Sequence, residues 1–270
     1  MSGGVIPLGL LDLSIAATLV IILAILTWRL QLGMSRSVLI AGLRTVVQLL
    51  LLGLLLEYLF ASSHPLLIGF LALVMLVVAG REVMARQQRP FSGTWGYGLG
   101  TLSMFISSFT ITIFALNIII SPQPWYLPQY AIPLLGMMLG NTMTGVALTL
   151  DNLTRSAWQQ RDIIEQRLML GQDWRTAICD VSRDSLRTGL IPIINSMAAA
   201  GIISIPGMMT GQILGGSSPW DAAKYQILIM FMITAGTGFA AVLASWLGTR
   251  RLFDERQRLR LDRLAPKRTD

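Results

Sequence analysis

The residues in this chain best suited to meeting a small cation are two methionine pairs, each followed by a carboxamide: Met137-Met138 with Asn141, and Met208-Met209 with Gln212. Thioethers are polarisable groups that suit the softer ions. The segments carrying them echo one another, because 132–145 and 203–216 share six of fourteen positions. Both copies space glycines four apart, Gly136 and Gly140 in the first and Gly207, Gly211 and Gly215 in the second, which permits close backbone contact between membrane helices. These six side chains are candidates for the outer lining of a translocation path. Methionine filling gaps beside packed glycines is the plainer account of the same pattern. The second copy follows Pro206 and is rich in glycine, so it reads as a broken or re-entrant segment, which membranes tolerate only when it is buried in protein or lines a cavity.

Two further polar groups, Arg44 and Gln48, lie one helical turn apart inside an apolar run and join the candidate path. A charge in a span usually faces a bundle interior or cavity. Arg44 is also close enough to one end of its run to snorkel to the interface. Ser103, Ser107, Thr110 and Asn117 repeat at near-helical spacing, a stripe that glues helices by hydrogen bonds more often than it lines a path.

Catalytic chemistry has little to work with. One cysteine, Cys179, and one histidine, His64, exclude a disulfide framework and a Cys/His metal centre within one chain. The only lysines, Lys224 and Lys267, lie outside any glycine-rich phosphate loop, so the chain is not its own P-loop ATPase, and no bound cofactor is expected.

The elements that must position these groups are membrane helices. The chain is 53% hydrophobic and 13% charged with mean hydropathy +0.63, whereas globular domains are roughly 25% charged. The expected fold is an all-α, polytopic transmembrane bundle of about seven spans, at 10–28, 38–59, 65–79, 98–120, 130–150, 189–205 and 225–247, in a single domain. The net charge of +7 does not indicate nucleic acid, because the cations sit beside the spans and form no aromatic-interleaved groove. Nineteen of the 21 Lys and Arg fall on alternate loops, which places the N-terminus outside and the C-terminus in the cytoplasm. The N-terminal residues carry no positive leader, so the first run reads as an uncleaved span. The tail at 248–270 reads as a basic juxtamembrane helix resting on anionic headgroups.

The longest polar stretch, 151–188, is then cytoplasmic. Between Asp151 and Arg187 six arginines balance six acids, the pattern of a surface that meets another protein or of an amphipathic pair lying on the membrane. Trp174, Ala177, Ile178 and Val181 form one helical face, and Ile163, Ile164, Leu168 and Met169 form another. Gly171 divides the two helices, and Asp173 caps the second. Asp180 with Arg183, and Asp184 with Arg187, are spaced to pair along the helix.

Several of these motifs together resemble a known family. Arg44-(three)-Gln48-(four)-Gly53, Pro133-(two)-Gly-Met-Met-(one)-Gly-Asn141, Glu165-(two)-Leu-(one)-Leu-Gly171, Arg183-Asp-Ser185, Ile191-Pro192, Pro206-Gly-Met-Met-(one)-Gly211 and Lys224-Tyr-Gln226 are similar to the FetB-type permeases. Those proteins are membrane subunits of ABC transporters linked to iron export in bacteria, with aluminium-tolerance permeases as plant relatives. The resemblance covers about residues 38–250. It implies a permease in the inner membrane, a homodimer, exporting iron or another metal ion with ATP used by a separate cytoplasmic ATPase subunit. The ATPase-coupling residues would be Glu165, Leu168, Leu170, Gly171, Trp174 and Ile178. Glu165 to Gly171 also looks like the coupling loop of ABC import permeases, but Ile191-Pro192 comes later than their spacing requires. A secondary carrier driven by an ion gradient is the alternative, although Asp12, Glu57 and Asp151 all sit near span ends, where a proton relay is not expected.

Overall fold

The computed structural model describes residues 9–62 and 64–267, so residues 1–8, 63 and 268–270 fall outside the described part. Eleven α-helices make up the described chain: α1 Leu10–Arg29, α2 Ser35–Ser62, α3 Pro65–Ala85, α4 Thr94–Met104, α5 Thr110–Phe114, α6 Pro128–Gln159, α7 Arg161–Met169, α8 Trp174–Ala177, α9 Cys179–Ala199, α10 Gly207–Leu214 and α11 Pro219–Leu252. Prolines open α3, α6 and α11, where a missing N–H is harmless and the fixed φ suits a helix. Between Thr94 and Ile120 the chain is one rod in which α4 and α5 alternate with π-helical stretches at Phe105–Phe109 and Ala115–Ile120. Ser107 donates 2.7 Å to the carbonyl of Gly236 on α11, and the Ser108 and Thr142 hydroxyls are 3.1 Å apart. Of the stripe Ser103, Ser107, Thr110 and Asn117, only Ser107 ties to another helix; Ser103 and Asn117 donate within their own rod, and Thr110 and Asn117 are exposed.

Among the described residues six helices are long and apolar enough to cross a bilayer: Leu10–Arg29, Ser35–Phe60, Pro65–Ala85, Thr94–Ile120, Pro128–Gln159 and Pro219–Leu252. They contain the expected spans, except the one at 189–205. Those residues are instead the second half of α9, which starts in the polar stretch and stops at Ala199. The helix runs through Gly189, which is held by packing, and continues past Pro192 although that residue has no N–H to give the preceding turn. Likewise 151–159 of the polar stretch is the end of α6, not a separate helix.

Three core layers fix the directions of the helices. Leu134 and Met138 of α6, Ile193 of α9 and Ile229, Met232 and Ile233 of α11 share one layer. Leu150 and Val146 of α6 join Leu76 and Val83 of α3 and Ala240 and Ala244 of α11 in the middle. Leu153 and Ala157 of α6, Val181 of α9 and Leu252 of α11 share the third. Thus α6 and α11 run the same way and α9 returns between them, so α9 traverses the bundle although half of it is polar. The loop between α3 and α4, the end of α6, α7, α8, the start of α9 and the tail after α11 all lie at one end. That end carries the basic loops.

The central contact is a close approach of backbones. A Cβ added at Gly189 would lie 2.7 Å from the Gly145 carbonyl and collide with the Thr149 hydroxyl. One added at Gly145 would lie 3.3 Å from the Gly189 carbonyl and collide with the methyl of Thr237 on α11. By contrast the α1–α2 pair is packed at few points. Leu59 is buried with Ile68 and Ile132, and Arg44 meets Glu82 of α3 at 2.6 Å.

After Leu252 the tail departs from the expected helix. It folds back as an irregular strap, with only a 3-10 turn at Leu261–Arg263. Arg263 donates to the carbonyls of Arg251 and Phe253, Ser92 N–H donates to Arg263, and Ala265 N–H donates to Pro90. Asp254 accepts from the backbone N–H groups of Arg256 and Arg258 and from the Arg258 guanidinium. These closures compete with helix continuation and bury Leu264 against Phe91. The Arg258 backbone hydrogen bond first, then its side chain, holds the Asp254 carboxyl below the usual carboxylate range, and Arg260 draws Asp262 down to about 2. Such depressed carboxylates stabilise the strap above their ordinary titration range, and that support is lost as pH falls through the lowered values.

Two outcomes follow from this packing. Gly189→Leu should lower the thermal midpoint of the purified protein by an amount corresponding to about 1–3 kcal/mol of overpacking. Gly238→Ala, where a Cβ meets nothing within 4 Å, should leave the midpoint unchanged. For the strap, resistance to trypsin at Arg256 and Arg258 should stay constant from pH 8 to pH 5 because both carboxylates remain ionised. Asp254→Asn should expose those sites at neutral pH, read by mass spectrometry of the fragments.

Candidate functional site

At the basic end, α7, α8 and the first turns of α9 build a platform. Its underside is apolar: Ile164, Ala177, Ile178 and Val181 are buried with Leu153, Leu252 and Phe253, and Trp174 stacks 5.6 Å from Phe253. The helical face read from Trp174 to Val181 is therefore the buried one. Asp173 caps α8 by accepting from Thr176 N–H at 3.2 Å, and the Thr176 side-chain hydrogen bond leads in lowering its pKa. Arg167 pairs with Asp180 at 2.8 Å and donates to the Ala177 carbonyl, tying α7 to α9. This corrects the expected Asp180–Arg183 pair. Among the described residues Arg183, Asp184 and Arg187 make no ion pair either, since the long Arg167 side chain reaches Asp180 first and the others point outward.

Above this base the α7–α8 turn projects. Gly171 has φ +88, a left-handed conformation that closes α7 with its N–H on the Leu168 carbonyl. The turn lifts Met169 and Leu170 away from the protein, leaving them 79% and 82% exposed. Glu165 is also exposed, Leu168 and Trp174 are half-buried, and Ile178 lies in the core, where it supports the platform but presents no side chain to a partner. Of the six expected coupling residues, then, Glu165, Leu170 and Gly171 form the outer surface. An open groove of about 710 Å³ runs between Glu165, Leu168, Met169, Gly171 and the strap residues Arg256–Leu259, and Gln257 accepts from Trp174 N–H at 3.1 Å. Sequence reasoning missed Met169 and the strap. An exposed apolar pair just before a helix-ending glycine was a usable signal for the first, but nothing local marks the second.

The candidate path residues do not form one cluster. Met138 is buried in the layer shared by α6, α9 and α11, against Gly236, and acts as core filler. Met137 and Met208 pack at the edge of that layer. Asn141 is exposed near the middle of α6, with its amide N–H on the Met137 carbonyl. Gln48 is exposed on α2, and Arg44 is occupied by Glu82. The second methionine copy is the short α10, entered after Pro206 and closed by Gly216 at φ +92, and it packs on α11 without crossing the bundle. Met209 is half-buried there, and the Gln212 Oε1 and Gln226 Oε1 oxygens are buried with no protein donor. Among the described residues no three His, Cys, Asp or Glu side chains gather as a metal-binding group.

The chain matches the model of the uncharacterised protein family UPF0014 over residues 10–253. It is 35% identical over 241 residues to the UPF0014 membrane protein slr1647 of Synechocystis, covering 88% of this chain and 90% of that one. The "Probable iron export permease protein FetB" of Escherichia coli is 29% identical over 95% of this chain and 96% of its own length. The Arabidopsis thaliana protein named ALUMINUM SENSITIVE 3 is 31% identical over 86% of this chain and 83% of its own. No solved structure matches the chain. Six apolar helices, a polar platform at one end and this run of relatives agree: the chain is a multi-pass membrane protein belonging to the UPF0014 family.

Proposed function

We propose that this chain is the permease subunit of an ABC transporter, set in the cytoplasmic membrane with its basic end inward, that exports a metal ion using a separate ATPase. The observation that carries the reading is the platform. An apolar pair, Met169 and Leu170, stands in water at the tip of a turn whose base is fully packed. Exposed large apolar side chains set in a rigid, charged surface mark a protein contact. Movement of a docked ATPase at that tip would pass through Ile164 and Ile178 into α6, α9 and α11, whose ends share the same core. Export and iron are supported by the name of the Escherichia coli relative and not by a ligand cluster in this chain. For the cargo, the exposed carboxamides Asn141 and Gln48 are neutral oxygen donors of the kind that bind a cation weakly enough to release it.

Leu170→Asp tests the platform. Its side chain is exposed, so the protein should fold and accumulate normally, while recovery of the ATPase with the tagged permease from native membranes should fall at least tenfold. Cells carrying the variant should retain metal as cells lacking the gene do. Undiminished ATPase recovery would remove the docking role of this turn. Transport that continues without any ATPase and collapses with an uncoupler would replace the proposal with the gradient-driven carrier.

A further inference from the structure

At the basic end, the seam between α9 and α11 combines an apolar floor with a cationic mouth. Ile178 and Leu186 on one side and Val242 and Trp246 on the other line an open groove of about 340 Å³, with Arg183 at its edge. The groove shares Trp174, Arg175 and Trp246 with a neighbouring hollow of about 440 Å³ that Arg250 also lines. Its floor continues an exposed stripe of α11. Phe239, Val242 and Trp246 are 65%, 52% and 49% exposed and share one helical face, and Arg250 follows Trp246 one turn later. Apolar residues, then a tryptophan, then an arginine is the order a spanning helix shows as it leaves the hydrocarbon for the headgroups.

The arginines at this mouth are not spent on carboxylates. Among the described residues Arg175, Arg183 and Arg250 make no ion pair. Arg175 lies over the Trp174 ring at 5.2 Å and Arg250 over the Trp246 ring at 5.7 Å. Such stacking places a guanidinium while leaving its N–H edge for an acceptor. Of the acids nearby, Asp173 caps α8 and Asp254 is taken by Arg258 and Arg260, which leaves Glu255 as the one carboxylate on these walls without an ion pair among the described residues. Three guanidiniums against one carboxylate favour an anion, and phosphate oxygens match their N–H forks. A soluble anion would leave the apolar floor unfilled. A zwitterionic headgroup would bring a cation of its own among the arginines.

From this we infer that the α9–α11 groove seats an anionic phospholipid of the leaflet at the basic end, with its phosphate among Arg175, Arg183 and Arg250 and an acyl chain along Leu186 and Val242. The lipid joins the platform to α11 at a place where the two share no ion pair among the described residues. The site requires only that the chain spans a membrane, so it stands apart from the permease reading.

Native mass spectrometry of the full chain, released from micelles holding equal amounts of phosphatidylglycerol and phosphatidylcholine, tests this. The protein should retain phosphatidylglycerol, and Arg183→Gln with Arg250→Gln should reduce that adduct severalfold. Arg155→Gln with Arg187→Gln, which removes the same charge from exposed positions at the same end, should not. Cys179, the only thiol in the chain, lines the groove and reports the place. N-ethylmaleimide should modify it severalfold more slowly in phosphatidylglycerol nanodiscs than in phosphatidylcholine nanodiscs, both in the unaltered chain and in the control pair, but not in the groove pair. Equal retention of the two lipids, equal loss in both arginine pairs, or a Cys179 rate that ignores the lipid or slows alike in all three proteins overturns the site. Displacement of the adduct by inorganic phosphate, but not by chloride at the same ionic strength, would overturn it too, because the groove would then hold a free anion.

Discussion

The approach of α6 to α9 through Gly145 and Gly189 sets the positions of most other groups in this protein. With no side chains between them the two backbones sit close enough for Thr149 and Thr237 to fill the remaining space, and α11 is drawn onto both. Inside a membrane there is no hydrophobic force between helices, so such close packing and a few interhelical hydrogen bonds provide the cohesion. Ser107 on the Gly236 carbonyl, Ser108 with Thr142 and Ser182 with Ser245 are bonds of this kind. They all converge on α6 and α11.

That arrangement makes the polar platform mechanically continuous with the spans. α9 carries the charged residues of the platform and the apolar residues of the bundle in one unbroken helix, so a displacement of its first turns is a displacement of Ile193 beside Met138. The strap after Leu252 adds a second connection, running from α11 to the α3–α4 loop and to Trp174. Trp95, Trp158, Trp174 and Trp246 lie at the same end, each with an arginine over its ring.

The α1–α2 pair behaves differently. Its outer surface is almost entirely apolar and exposed, and it touches the rest at Leu59 and through Arg44 with Glu82. Lipid is sufficient cover for such residues.

Runs of some 20 apolar residues, and arginines on alternate loops, were enough to define a polytopic helical protein and which loops share an end, because both patterns reflect partition between lipid and water one residue at a time. The buried face from Trp174 to Val181, although divided between α8 and α9, and the Asp173 cap were legible for the same reason, being local patterns of one short stretch. Pairings between elements were not. That Arg167 takes Asp180, that Glu82 takes Arg44, and that the basic tail turns back onto the platform depend on which side chains the bundle brings within reach. The identical Gly-Met-Met pattern became the middle of a long helix in one copy and a short helix between turns in the other. Local sequence specifies helix and polarity; only the packing of α6 with α9 and α11 decided which of those methionines fill the core and which polar groups remain without a neighbour.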